Sequence, residues 1–428
     1  MTWVIRREIK YMNTLNHIKH LQCVLCGTSY DPAEVVYTCP ACGPSGVLAV
    51  HYDYEQIAPH ISRTQLAQNH EQSMWRFRPL LPISYSHVDT PPLAVGGTPL
   101  YPVNRLRRYL GMHDLWLKDD TRNPSASLKD RASIIAVMRA EGKIVACAST
   151  GNAASSLAVQ AASLGLACYI FVPHNAPRAK IIQLLMCGAH VFAVQGSYDD
   201  AFDLCIEACH SFGWYNRNTG YNPYLVEGKK TVGLEIAEQL QWQVPDTVLV
   251  PTGDGCIISG VYRGFEDFYH LGMIGRIPRL VAIQAEGSPA IARALAGDGI
   301  VRPYPAHTIA DGICVGMPRN GAMAVQHIRA SGGFGITVSD AEILAAQKGL
   351  ARLTGVFAEP SGAASYAGLL RLLEEGKIAH DECVVLLVTG SGLKSIDAIA
   401  ETAGSVILIE KGAEGMSMVE RVVRSGLR

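Results

Sequence analysis

From Thr98 onward the chain alternates short aliphatic and β-branched runs with alanine-rich stretches of helical length. Residues 115–118 read as a strand, 128–139 as a helix, 144–148 as a strand, 152–164 as a helix and 167–172 as a strand. Further strand-like runs follow at 248–250, 280–284 and 384–388. Unbroken apolar runs of this length suit strands buried on both faces, and strand–helix alternation closes into parallel sheets flanked by helices. The pattern therefore predicts an α/β chain. In open parallel sheets the loops at the carboxyl ends of the strands form the ligand crevice. The distinctive polar loops of this chain all fall at such ends.

Composition sets the outer limits. A chain of 428 residues has room for two lobes and an appendage, and 48% hydrophobic with 18% charged residues favours a large buried core over disorder. The net charge of −1 supplies no global field for nucleic acid or an anionic membrane, so any bound anion must be held by local groups. No secretory segment is evident, and the longest apolar runs are far too short to span a bilayer. Met12 is an alternative start to Met1. Three regions are expected: 1–52, a leader, helical over 1–20, then a cysteine-bearing segment; 53–97, a proline- and aromatic-rich linker wrapping a larger body; and 98–428, the α/β body. Short β-like runs are expected at 35–37 and 46–51.

Four of the twelve cysteines are grouped as Cys23-x-x-Cys26-Gly and Cys39-Pro-x-Cys42-Gly, with twelve residues between the pairs. Two such knuckles offer one metal a tetrahedral set of thiolates, which suits zinc, with iron the alternative. The glycine after each pair lets the turn close with positive φ. Four protein ligands leave no open position, so the metal is expected to be structural. The other eight cysteines are scattered singly, which argues against a disulfide framework and for a reducing, cytoplasmic compartment.

Four loops carry candidate chemistry. The first, 118–131, places Lys129 in the opening turn of a helix, where the positive dipole end and an apolar surround disfavour a protonated amine. A lysine of depressed pKa is what Schiff-base chemistry needs; a surface lysine is the plain alternative. The second is Ser149-Thr150-Gly151-Asn152, read equally well as an N-cap and tight turn. The third, 251–260, is glycine-rich and precedes a helix whose free N–H groups suit an anion; a dinucleotide is its usual competitor. The fourth is Thr389-Gly390-Ser391-Gly392-Leu393-Lys394, a hydroxyl-bearing strand-to-helix turn. Each is ambiguous alone.

Their order and spacing resemble the fold-type-II enzymes of pyridoxal 5′-phosphate (PLP), the tryptophan-synthase-β type, and most of all the threonine synthase family. That family reads Asn-Pro-Thr-Gly-Ser-Phe-Lys-Asp-Arg where this chain has Asn123-Pro124-Ser125-Ala126-Ser127-Leu128-Lys129-Asp130-Arg131. Ala148 to Asn152, Glu227-Gly228 before Lys230-Thr231, Glu359-Pro360 before Ala363-Ala364-Ser365, and the CxxC ribbon of some members match as well. The resemblance covers roughly residues 20 to 400. It implies a two-lobed PLP lyase with parallel sheets and a small zinc-ribbon-like segment, a homodimer acting on a small amino acid. Lys129 would hold the cofactor as a Schiff base and move protons. Asn152 would meet the ring hydroxyl, and Gly253, Asp254, Gly255, Cys256 and Ile257 would meet the phosphate through backbone N–H groups. Thr389 would meet the pyridine nitrogen, while Ser149, Thr150 and Asn222 would contact substrate. The implied reaction converts O-phospho-L-homoserine and water into L-threonine and phosphate.

The chain departs from the family at four places. Thr-Gly becomes Ser125-Ala126, a threonine becomes Ala153, and Asp254 and Cys256 enter the phosphate loop, with the Asp254 carboxylate expected to turn away. The arginine expected on the substrate phosphate becomes Leu225, leaving Lys229, Lys230, Arg122, Arg178 and Arg319 as basic residues that could compensate. The segment 308–313 is also similar to threonine dehydratases and diaminopropionate lyases, so β-elimination or β-replacement on a serine-like substrate is the alternative reaction. A zinc-ribbon regulator on a retired scaffold is the non-enzymatic alternative; the joint presence of Lys129, Asn152 and Thr389 speaks against it.

Overall fold

The computed structural model describes residues 17–83, 91–176, 178–396 and 406–424. Ser395–Arg428 forms a compact unit of its own, whose described part contains the helix Ala413–Arg424. Everything below concerns the other unit, Met1–Lys394. The expected leader lies mostly outside the described residues, and where the description begins the chain is already a strand.

That strand, β1 (Ile18–Cys23), pairs antiparallel with β2 (Ser29–Tyr30) and β3 (Leu48–Tyr52). The run 46–51 thus contributes a strand, whereas 35–37 is irregular, tied down by a turn at Asp31–Glu34 and a single bridge between Thr38 and Val47. Two valines do not make a strand when the two knuckles leave their backbone no partner.

Two parallel sheets form the body. The larger runs β12 (Phe334–Val338), β11 (Arg279–Ala285), β10 (Thr247–Pro251), β13 (Cys383–Val388), β5 (Asp114–Asp119), β4 (Leu100–Pro102). All neighbours are parallel except β4 on β5. The smaller runs β8 (His190–Val194), β7 (Cys168–Pro173), β6 (Val145–Ala148), β9 (Tyr215–Asn216), parallel throughout. The observed strands and helices fall within a residue or two of the expected ones. The central strands are apolar on both faces because helices cover both sides; every residue of β10 is buried.

The stretch 53–83 is more than a wrap. Met74, Trp75, Phe77 and Leu80 enter the same core as Leu21 and Val50 of the ribbon sheet and Val248 and Phe268 of the body. Phe77 is fully buried, worth about 1.5–3 kcal/mol over an exposed position. Charged residues also lock the ribbon to the body. Arg263 donates to the Val50 carbonyl, Tyr54 Oη donates to Asp267 at 2.7 Å, and Lys230 Nζ lies 3.9 Å above the Tyr52 ring.

Asp130 and Arg131, the residues after Lys129, hold the fold. Arg131 is fully buried, its Nε 2.7 Å from Asp120 Oδ2 and its Nη1 2.5 Å from Glu235 Oε1. Lys118 Nζ reaches the same Glu235 at 2.6 Å. The cluster fixes the Lys129 helix, β5 and the helix Thr231–Gln239 to one another.

Candidate active site

A cavity of about 540 Å³ opens between the two sheets' carboxyl ends, within the range usual for small-molecule sites. Lys129, the first residue of the helix Lys129–Arg139, lines it. Its amine is held below the ordinary lysine range, first by burial and next by the nearby Arg217 guanidinium. The preceding loop is positioned from both sides. Ser125 donates through N–H and Oγ to Asp130 at 2.8 and 2.7 Å, while Leu128 N–H donates to the Thr389 carbonyl at 2.9 Å. The Ser125 hydroxyl is thus spent on Asp130. Ala126 adopts φ 58°, the left-handed region where the family carries glycine.

Asn152 begins the helix Asn152–Ser163, directly after the Ser149-Thr150-Gly151 turn at the end of β6. Its Nδ2 donates to both carboxylate oxygens of Glu359, at 3.0 and 2.9 Å. Glu359 stands before the helix Pro360–Glu374, and burial raises its carboxyl pKa. Thr389, one residue beyond β13, lines the cavity beside it.

At the end of β10 the chain turns through Gly253, Asp254 and Gly255 into the helix Cys256–His270. Gly255 has φ +87°, and a Cβ there would lie 2.6 Å from Ala324 Cβ, so only glycine fits the turn. The unpaired N–H groups of a helix start favour an anion at this place. The Asp254 carboxylate accepts the Arg319 amide at 3.2 Å, so the side chain is engaged with the 319 loop.

The structure brings Lys129, Ser149, Thr150, Asn152, Thr389 and the whole 253–257 loop into the lining of one cavity. Asn222 is not part of that lining. Its Nδ2 donates to the Asn216 carbonyl at 2.8 Å and its Oδ1 accepts Tyr224 N–H at 3.1 Å, so its amide closes a turn. Leu225 is buried against Ala132 and Ala136. Lys230 pairs with Glu227 and Asp267, both at 2.7 Å, away from the cavity.

Two buried cations line the cavity. Lys229 and Arg217 are fully buried and line the cavity, and Lys229 Nζ and Arg217 Nη2 have no hydrogen-bond partner. Burial lowers the Lys229 pKa to about 8. Arg217 Nε donates to Ser133 Oγ at 3.0 Å and Nη1 to Thr219 Oγ1 at 2.8 Å, leaving one face of its fork open. Buried cations with an unpaired donor and no paired carboxylate are costly unless an anion completes them. Arg217 and Glu359 went unread as site residues in the sequence. Arg217 sits just after a two-residue strand with no motif around it, and only the Glu359-Pro360 match hinted at the second.

The four ribbon thiols form a separate cluster. All four Sγ atoms lie within 4.8 Å of one another, with those of Cys26 and Cys39 at 3.7 Å. A tetrahedral zinc with Zn–S of about 2.3 Å requires sulfurs about 3.8 Å apart. Gly27 and Gly43, after each pair, have φ +74° and +64°.

Fold and cavity together define a class, and sequence comparison agrees. The profile of the family described as pyridoxal-phosphate dependent enzyme matches residues 92–390, and the chain belongs to that family. Within it the chain stands among the threonine synthases. It is 40% identical over 410 residues to threonine synthase of Methanocaldococcus jannaschii, covering 94% of this chain and 99% of that one. It is 38% identical to threonine synthase of Methanosarcina acetivorans, covering 93% and 97%. Among solved structures it shares its fold with diaminopropionate ammonia lyase of Escherichia coli, at TM-score 0.63 and 19% identity over 80% and 93% of the chains. A threonine deaminase of Solanum lycopersicum matches at TM-score 0.61 and 23% identity over 72% and 83%. The α/β architecture with a four-cysteine ribbon and the assignment as a PLP-dependent lyase follow. The cavity fits the family's cofactor: it offers a pKa-lowered lysine, a glycine cradle at a helix start and orphaned buried cations. Among the described residues no helix is long and apolar enough to cross a membrane.

Proposed function

We propose that this chain converts O-phospho-L-homoserine and water into L-threonine and phosphate. The observation that carries the reading is the pair of buried cations, Arg217 and Lys229, that line the same cavity as Lys129 with Arg217 Nη2 and Lys229 Nζ unpartnered. A serine-like substrate brings no second phosphate and gives two such cations nothing to meet beyond the cofactor. Arg217 and Lys229 therefore take the place left empty by Leu225.

The cofactor would be held by Lys129, by the N–H groups of Gly253 to Ile257, and by Asn152 and Thr389. When bound, PLP supplies an electron sink that acidifies the hydrogens of an attached amino acid. Lys129, lowered in pKa and central in the cavity, takes and returns protons at Cα and Cβ. Ser149 and Thr150 stand at the β6 turn, where their hydroxyls and N–H groups suit a substrate carboxylate. Arg217 and Lys229 bind the substrate phosphate and stabilise charge as it leaves Cγ. Thr389 would offer a neutral hydroxyl to the ring nitrogen, which would moderate the sink and suit elimination. Cys23, Cys26, Cys39 and Cys42 hold a structural zinc. A homodimer is proposed from the resemblance alone, and a cytoplasmic setting from the scattered cysteines.

The test is a substrate comparison on purified enzyme with PLP. Phosphohomoserine is expected to yield threonine and inorganic phosphate in equal amounts. Comparable efficiency with L-serine or L-threonine, giving a keto acid, would replace this reading with the β-elimination one.

A further inference from the structure

We propose that Tyr37 is a positioning residue for the cavity wall, and that the four-cysteine site acts on the cavity through it. Tyr37 lies on the loop between the two cysteine pairs, two positions before Cys39. β9 is an edge strand of the smaller sheet. Tyr215 N–H and Arg217 N–H both turn inward, donating to the Ile144 and Ala146 carbonyls at 2.8 Å. Strand geometry then points the intervening Asn216 N–H outward, off the open edge. Tyr37 Oη accepts that N–H at 2.9 Å. Its ring also packs on Tyr221, with centroids 5.0 Å apart, and meets Tyr215 edge-on at 6.1 Å. A side chain of the cysteine loop thus completes the sheet edge that carries Arg217.

From Asn216 the bonding continues into the cavity wall. Asn216 Oδ1 accepts Asn218 N–H at 2.7 Å, and Asn218 Oδ1 accepts Ala148 N–H at 2.7 Å. Ala148 immediately precedes Ser149, Thr150, Gly151 and Asn152. Arg217, between the two asparagines, lines the cavity. Tyr37 therefore stands at one end of a hydrogen-bonded path whose other members carry Arg217 and the Ser149 turn.

Between the cysteine pairs the loop that presents Tyr37 is anchored in the core by Val35 and otherwise carries little regular structure. Its regular structure is the two-residue β2, the Asp31–Glu34 turn and the Thr38 bridge to Val47, while Val36 is 62% exposed. A metal on the four thiolates closes the loop at both ends and restricts where Tyr37 can lie. Metal loss frees the loop, uncaps Asn216 and loosens Arg217. The ribbon on this account is a brace for anion binding as well as a fold element.

The experiment compares wild type and Tyr37→Phe, both metal-loaded holoenzymes, before and after chelation. Phenylalanine keeps the ring packing and removes only the acceptor, so folding is retained; a thermal melt checks this. Tyr37→Phe is expected to raise KM for phosphohomoserine about three- to tenfold, with kcat changed less than about twofold. The dissociation constant of inorganic phosphate, read from the cofactor's visible absorbance, should rise by the same factor. Hydrogen exchange at residues 216–218 should quicken. Chelation should reproduce these changes in the wild type and add less than about twofold in Tyr37→Phe. Equal effects of chelation in both backgrounds, or unchanged phosphate affinity in Tyr37→Phe, would overturn the proposal. The inference rests on the phosphate-binding reading of Arg217 and Lys229, yet a chain that turns over no phosphohomoserine and still shows the phosphate and exchange shifts supports the brace and sinks the substrate reading, so the two failures are distinct.

Discussion

Asn152 and Glu359 meet across the cavity from the starts of two helices, the Asn152 Nδ2 lying 3.0 and 2.9 Å from the two Glu359 carboxylate oxygens. The contact joins the loop after the smaller sheet's β6 to the helix start beside β13 of the larger sheet. It also keeps a carboxylate buried where its charged form is disfavoured.

Glu359→Gln follows from that environment. The Glu359 pKa is raised in the folded state, first by burial. A carboxyl raised on folding loses stability as pH climbs through the window above its unfolded value. Apoenzyme carrying Glu359→Gln should therefore melt higher than wild type at pH 7, with the gain shrinking toward about pH 4.5, the ordinary glutamate value. Turnover should fall as stability rises. Thermal melts across pH, with parallel rate measurements, check both.

Lys129→Ala should remove the visible absorbance of lysine-bound cofactor and lower turnover by at least about a thousandfold. The variant should still fold, because the residues that lock this helix are Asp130 and Arg131. An unchanged absorbance band would assign the cofactor to another lysine, and Lys229 lines the same cavity.

Lys229 confers a pH signature on anion binding. Burial lowers its pKa to about 8. Below that it carries charge toward a phosphate, and above it the charge is lost. Inorganic phosphate, already mostly dianionic there, should bind more weakly between about pH 8 and 9.5, by up to tenfold per unit. Lys229→Met should weaken binding at pH 7 and flatten the dependence. Titrating holoenzyme with phosphate at several pH values measures it.

Arg131→Met should destabilise the protein by about 3–5 kcal/mol, because it strands the buried Asp120 without a charged partner and leaves Glu235 with Lys118 alone. Urea unfolding followed by fluorescence reads the loss. The cofactor band should persist in whatever fraction remains folded, since Arg131 faces the core and not the cavity.

The α/β architecture and the strand positions were legible because unbroken aliphatic runs and alanine-rich stretches have few other uses. The four cysteines were legible because paired spacing with a following glycine is a local property, and the structure gives both glycines positive φ. The place of Lys129 in the cavity was legible through the company of three other loops, each at a strand end. Leu225 was legible as a gap in a pattern.

Which cations line the cavity was a tertiary matter. Arg217 follows a strand of two residues and becomes a cavity residue only because β9 docks beside β6 and Ser133 and Thr219 hold its guanidinium. Lys229 and Lys230 are adjacent in sequence, yet helical rotation sends one to the cavity and the other to Glu227 and Asp267. Asn222, plausible from its motif, spends its amide on backbone groups of its own turn. The sequence by itself determined which chemistry the chain carries, because loops at strand ends announce themselves by composition. Which cations line the cavity, and that Tyr37 of the ribbon caps the strand just before one of them, was decided only when distant strands and helices packed against one another.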